Sequence, residues 1–227
     1  MTMMSRMSLK AASRGGRRLL GDRQAMHAAV MAGFSPEAHD AMAGRVLWRV
    51  DHDGHRHTLY VVSPERPDLT HLVEQAGWEG QRWESADYGP FLSRLTRGHR
   101  WAFRLAANPV KAKAQPDGKR SRLLPHVTPE QQTAWLMERA EGWGFRIVTH
   151  EDEDALSVAV TRRGDERFGR REAGEGRSRG KVTLRVVQFD GELEITDAEQ
   201  LRHALMAGMG RAKGYGCGLM TLRPVQA

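Results

Sequence analysis

Between Gly208 and Met220 the chain places five glycines around Arg211 and Lys213. Glycine adopts positive φ and lets another backbone come close. Successive bare N–H groups beside fixed cations form a concavity for an anion. A helical pattern precedes this stretch and a strand-like run follows it. The loop therefore reads as a grip on a phosphate backbone, through the amides of Gly208, Gly210, Gly214 and Gly216 and the side chains of Arg211 and Lys213. The plain counterpart is a flexible glycine turn.

Two further cationic stretches match it. Residues 162–181 carry Arg162, Arg163, Arg167, Arg170, Arg171, Arg177, Arg179 and Lys181 among five glycines, with Asp165, Glu166, Glu172 and Glu175 cancelling half of that charge. The stretch reads either as a solvated charged loop or as a flexible arm that orders on RNA and neutralises phosphates. The segment around Asn108-Pro109, Lys111, Lys113 and Lys119 is also basic and bears prolines. Its composition marks a junction.

Elements that alternate in type must position these groups. Ser5–Lys10 alternates as a strand. Asp22–Gly33 reads as a helix capped by Asp22. Strands at Arg45–Val50 and His57–Val62 flank a turn at Asp51-His52-Asp53-Gly54. A short helix follows over Asp68–Ala76, and Gln81–Thr96 gives no clear pattern. Arg100–Ala106 closes the set as a strand. After the junction come a strand at Lys119–Leu124, a helix over Thr128–Gly142 with Pro129 at its first turn, and strands at Gly144–Thr149 and Leu156–Thr161. Strands at Val182–Phe189 and Glu192–Thr196 are split by Asp190-Gly191. A helix over Asp197–Ala207 and a strand at Gly218–Leu222 end the chain. The order β-α-β-β-α-β occurs twice, which predicts an α+β protein of two tandem ferredoxin-like domains, 1–106 and 107–227.

Composition narrows the function. The 227 residues carry 35 Lys plus Arg against 28 Asp plus Glu, a formal charge of +7. That balance favours nucleic acid or an anionic surface. No apolar run approaches the roughly 18 to 20 residues of a membrane span, and the first twenty residues lack the apolar core of a secretory signal. Cys217 is the single cysteine, which excludes an internal disulfide and suits a reducing cytoplasm. No Walker pattern is present, and the glycines end a helix instead of opening one. Glu151–Asp154 reads as a solvated turn rather than a ligand cluster, so no metal or cofactor is expected. The six tryptophans read mainly as core, with Trp78 and Trp83 in the least regular region.

Three motifs together resemble a known family. The glycine loop 208–219, the run Phe103–Lys111 ending in Asn108-Pro109-Val110-Lys111, and Met26-His27 on the first helix are similar to the CasE family. These are the CRISPR repeat-processing endoribonucleases of type I-E Cascade systems, in the repeat-associated RNA-binding superfamily. Gln132–Leu136 and Phe189–Leu193 fit as well, so the resemblance runs from about Ser5 to Pro224. It implies a metal-independent endoribonuclease that binds the hairpin of a CRISPR repeat and cuts at the 3′ base of the stem. The 2′-hydroxyl attacks, leaving a 2′,3′-cyclic phosphate and a 5′-hydroxyl. The mature crRNA is then retained with other Cascade subunits.

The resemblance implies His27 as the catalytic histidine and Lys181 as a lysine near the scissile phosphate. Arg23, four residues before His27, shares its helix face, and its charge would favour neutral imidazole. Relatives can carry Tyr where this chain has Gln24, and Gln orients an oxygen without transferring a proton. Tyr215 stands as a remote substitute. Ala106 replaces an Arg found in many relatives. Asn108, Lys111 and Lys113 join the RNA-contacting set, and the arm 162–181 is the expected reader of the stem. A non-catalytic subunit that holds guide RNA on the same fold is the alternative, and the two differ at His27.

Overall fold

The computed structural model describes residues 2–35, 44–114, 121–150, 155–170 and 180–225. The first unit is built from β1 (Met3–Leu9), α1 (Arg14–Gly21), α2 (Arg23–Met31), β2 (Leu47–Asp53), β3 (Arg56–Ser63), α3 (Thr70–Ala76) and β4 (Glu84–Asp87). Its sheet runs β2-β3-β1-β4, all neighbours antiparallel. In β1 the odd residues Met3, Ser5, Met7 and Leu9 are buried, the period of two that a half-covered strand requires. Met7 and Leu9 pack with Met26 and Val30 of α2 and with Leu69 and Leu72 beside α3. Asp22 Oδ1 accepts hydrogen bonds from the Gln24 and Ala25 amides at 2.8 and 3.2 Å and starts α2.

After α4 (Gly89–Ser93), the second unit opens with β5 (Arg100–Ala107). A ribbon of β6 (Val110–Lys113) and β7 (Arg122–Pro125) leads to α5 (Pro129–Ala140), where Thr128 Oγ1 accepts from the Gln131 amide at 3.3 Å. Then come β8 (Phe145–Ile147), the short pair β9 (Thr149–His150) and β10 (Ala155–Leu156), β11 (Val158–Arg170), β12 (Gly180–Ile195), α6 (Ala198–Ala207) and β13 (Met220–Pro224). The second sheet runs β11-β12-β5-β13, with β8 on the far end of β12. Both units thus have the ferredoxin-like order, and the protein is α+β with two such units in tandem. Among the described residues no helix is long and apolar enough to cross a membrane.

Several local expectations are corrected. Arg100–Ala106, expected to close the first repeat, is the central strand of the second sheet, with Leu105 opposite both Phe189 and Met220. Its near-continuous burial suits a strand covered on both faces. The strand that closes the first sheet is the polar β4, whose sequence carries no apolar alternation. Asp190-Gly191 is no turn, because β12 passes through it with Asp190 opposite Arg104 and Gly191 opposite Phe103. A Cβ on Gly191 would lie 2.2 Å from the Ser157 carbonyl, so this glycine answers a close approach. The hairpin between β2 and β3 turns at Gly54-His55, beyond the expected position, which brings His52 opposite His57. Helix α1 was not foreseen, since its Gly15-Gly16 pair argues against a helix by propensity. Most of the arm is likewise no loose loop. Arg162–Arg170 continue β11 and pair with Gly180–Gln188, after a bulge between Val160 and Arg162.

The units share a core in which Leu47 and Val62 of the first meet Leu105 and Leu219 of the second. Arg49 of β2 is 1% exposed. Its Nη1 donates to the carbonyls of Arg104 at 2.7 Å and Leu219 at 2.9 Å, and its Nη2 donates to Thr221 Oγ1 at 2.7 Å. Asp51 neutralises it at 2.6 Å. One guanidinium therefore bonds both sheets.

Candidate active site and nucleic-acid interface

Helix α2 sets Arg23 and His27 one turn apart, both facing the glycine loop of the second unit. Arg23 Nη1 donates to the Tyr215 carbonyl at 2.7 Å, and Trp48 Nε1 donates to the Gly214 carbonyl at 3.3 Å. Arg23 Nη2 reaches Glu166 of β11 at 3.4 Å. The loop is held against the first unit by these carbonyls. Gly216 makes the fit possible. Its φ is +76°, and a Cβ there would lie 2.6 Å from the Trp48 ring and 2.9 Å from Arg23 Nη1.

His27 is partly buried beside this loop. Its ring lies edge-on to Tyr215, with centroids 6.4 Å apart, and the Cβ position of Gly214 is 3.6 Å from its Cε1. Nδ1 is buried without a hydrogen-bond partner. Burial holds the imidazole below its ordinary pKa, because a charged ring would need solvation there. The expected cause was the Arg23 charge. The structure gives burial instead, with the Arg23 guanidinium directed at Tyr215 and Glu166.

The loop amides are less bare than the sequence suggests. Gly208 N donates to Ala204 O and closes α6, Met209 N donates to Gly218 O, and Gly218 N donates to Ala106 O. Lys213 turns inward, its Nζ on the Ala207 carbonyl at 2.7 Å. That geometry caps α6 and does not present Lys213 to a ligand. Arg211 is exposed, and Gly214 and Gly216 belong to the 3-10 turn at Lys213–Tyr215 and its cap.

Arg162 and Arg163 of β11 reach the cleft between the units. They line a cavity of ≈ 150 Å³ together with Arg23, Trp48, Glu166 and Gln188. Arg167 is exposed further along β11. The backbones of Arg170 and Lys181 pair with Gly180 and Gly169, but their side chains, like Arg171, Arg177 and Arg179, lie outside the described residues, as do Lys119 and Glu151–Asp154. Asn108 is buried, and its Nδ2 donates to the Arg185 carbonyl at 2.7 Å. It therefore fixes β12 instead of facing solvent. Lys111 and Lys113 stand exposed on β6, and Gln24 lies in the first turn of α2.

Two residues were undervalued or missed. The loop brings the Tyr215 ring edge-on to His27, with centroids 6.4 Å apart. His52 also lines the cleft, and the misplaced hairpin turn hid it. Cys217 is fully buried as expected, its thiol pushed up to about 11 by that burial. Trp48, Trp101 and Trp135 are core, whereas Trp78 is 41% exposed under Lys10 Nζ. Among the described residues no three His, Cys, Asp or Glu side chains converge as metal ligands.

Comparison with known proteins accounts for nearly the whole chain. A family described as CRISPR associated protein matches residues 2–224. The CRISPR-associated endoribonuclease Cse3 of Thermus thermophilus is 30% identical over 230 residues, covering 97% of this chain and 99% of that protein. The CRISPR system Cascade subunit CasE of Escherichia coli is 35% identical over 131 residues, 54% of this chain and 57% of its own length. Cse3 of Thermus thermophilus, bound to an RNA representing a pre-cleavage complex, superposes with a TM-score of 0.77 at 27% identity, covering 98% and 99% of the two chains. Cas6e of Escherichia coli shares the fold at a TM-score of 0.61 and 23% identity, covering 99% of this chain and all of its own.

Proposed function

The chain belongs to the CRISPR-associated protein family, among its CasE and Cse3 endoribonucleases, and on that premise we propose that it binds the hairpin of a CRISPR repeat transcript and cleaves it. One observation carries the catalytic part of this reading. His27 is an imidazole whose pKa is lowered by burial, set where α2 meets the glycine loop.

Neutral imidazole can accept a proton at working pH. In the proposed reaction the ribose 2′-hydroxyl loses its proton to His27 as its oxygen attacks the adjacent phosphorus. The bond to the 5′-oxygen breaks, that oxygen takes a proton from solvent water while His27 returns its own to solvent, and a 2′,3′-cyclic phosphate and a 5′-hydroxyl result. General base assistance of this kind is worth about 10² to 10⁴ in rate. The added negative charge on phosphorus calls for fixed cations. Lys181, at the root of β12, is the proposed one at the scissile group. Gln24 orients an oxygen, and Arg23 holds the loop carbonyl of Tyr215 in place. No metal takes part.

The hairpin β11–β12 presents Arg162, Arg163 and Arg167 from a paired two-stranded ribbon, which supports its role as the stem reader. A narrow A-form groove admits few wider elements. Arg211 and the Gly210, Gly214 and Gly216 amides grip the backbone, and Lys111 and Lys113 extend the basic track. The first unit supplies the histidine, and the second supplies the ribbon and loop. Cleavage at the 3′ base of the stem leaves a guide RNA that the protein retains. The Escherichia coli relative is named as a Cascade subunit, which supports assembly with other Cascade proteins, in the cytoplasm.

The test is incubation of labelled repeat-hairpin RNA in EDTA with wild type and with His27→Ala. Cleavage by wild type alone, with both proteins binding, is the expected result. Tight binding without cleavage by either would make the chain a guide-holding subunit.

A further inference from the structure

The cleft between the units holds a group that the His27 chemistry does not use. Its lining mixes apolar side chains, Leu19, Met26 and Trp48 among them, with the cations Arg23, Arg49, Arg162 and Arg163. Glu166 there already pairs with Arg23 at 3.4 Å, so Arg162 and Arg163 dominate the remaining charge. Arg163 Nη1 is directed at the Val127 carbonyl at 3.3 Å.

His52 of β2 enters the same cleft. Its Nδ1 lies 2.8 Å from Nδ1 of His57, and the rings meet edge-on with centroids 4.9 Å apart. That contact holds a single proton, with one Nδ1–H donating and the other Nδ1 accepting. When His52 is the donor, the next proton it gains goes to Nε2, while His57 Nδ1 accepts from Nδ1–H and supports the ring.

We propose that this cleft binds one phosphodiester group of the RNA, held by His52 Nε2–H and the Arg162 guanidinium, with His57 as the positioning residue. The proposal rests on the RNA-binding reading above. Its chemistry follows from the charges that face His52. Burial first, then Arg162 of β11, His57 of β3 and Arg23 of α2, push the ring down to about 4, and Asp51 on its own strand opposes them only in part. A histidine held neutral among arginines marks concentrated positive charge. A phosphate reverses the sign of that field and raises the pKa. Binding therefore takes up a proton, and affinity gains as pH falls through the bound-state pKa and levels off near 4.

The experiment is an NMR titration of the His52 ring in the full chain. It is run alone, with inorganic phosphate, and with repeat-hairpin RNA carrying a 2′-deoxy block at the cut position. Saturating RNA is expected to raise the His52 pKa by about 1–3 units. His52→Gln is expected to weaken hairpin binding about tenfold at pH 6 and less at pH 8. His57→Ala should shrink the RNA-induced rise, and His57→Asn, whose Oδ1 takes the place of Nδ1, should restore it. RNA bound to saturation with His52 unmoved overturns the proposal. A rise with inorganic phosphate but not with RNA also overturns it, by assigning the cleft to a free anion. Failure of the wild type to bind the hairpin at any pH is a different result, because it removes the RNA reading itself and this site with it.

Discussion

The rings of His27 and Tyr215 meet edge-on at 64°, and the Tyr215 ring also packs on Phe168 of β11 at 4.7 Å. One side chain of the glycine loop thus roofs the histidine and touches the basic hairpin. Because burial lowers the His27 pKa, the ring at position 215 helps set it. Tyr215→Phe should leave the His27 titration in place. Tyr215→Ala should raise it towards the ordinary value of about 6.5 and move the acid limb of the cleavage profile to higher pH. Ring titration by NMR checks both.

Gly214 and Gly216 should behave oppositely. Gly216→Ala forces a Cβ to 2.6 Å from Trp48 at φ +76°, and the backbone conformation alone costs about 1–3 kcal/mol. Thermal melts should show that loss together with slower cleavage. Gly214→Ala places its Cβ at an ordinary 3.6 Å from His27, so stability should change by under about 0.5 kcal/mol. Slower cleavage at unchanged Tm would then report on the space beside the imidazole.

Arg49→Leu should destabilise the protein by about 3–5 kcal/mol, the usual cost of removing one partner of a buried ion pair. Asp51 would keep Arg104 at 3.3 Å, while the Leu219 carbonyl loses a donor. Urea denaturation measures the loss, and adding Asp51→Leu should recover part of it. Strict additivity of the two substitutions would show that the pair is not coupled.

Acid should weaken the fold through His52. Its pKa is about 4 in the folded chain and about 6.5 when unfolded, so the unfolded state binds the proton first. Stability is therefore full above about pH 6.5 and falls with acidification until about pH 4. His52→Gln should flatten that part of the Tm profile. An unaltered slope would assign the acid loss to other groups.

The fold order was legible because caps and alternation are local. Asp22, Thr128 and Asp197 each start the helix they were expected to start. Sheet membership was not local. Arg100–Ala107 reads as a strand in either unit, and only its pairing with β12 and β13 decides. Asp190-Gly191 has turn chemistry, but the Arg104–Asp190 ion pair at 2.5 Å and the crowding at Ser157 hold it in the ladder. At the site, residue types located the glycine loop and the basic hairpin. They did not tell that Lys213 bonds inward, or that Tyr215 and His52 arrive by long-range packing.

The imidazole belongs to one end of the chain and its roof to the other, nearly two hundred residues apart. Neither end can be cut free and expected to cleave RNA. The contact between the His27 and Tyr215 rings is set by how the two units meet before it is a property of either side chain. On the proposed chemistry, whatever rocks one body against the other, whether heat or a neighbouring subunit gripping both, would throttle turnover without touching His27.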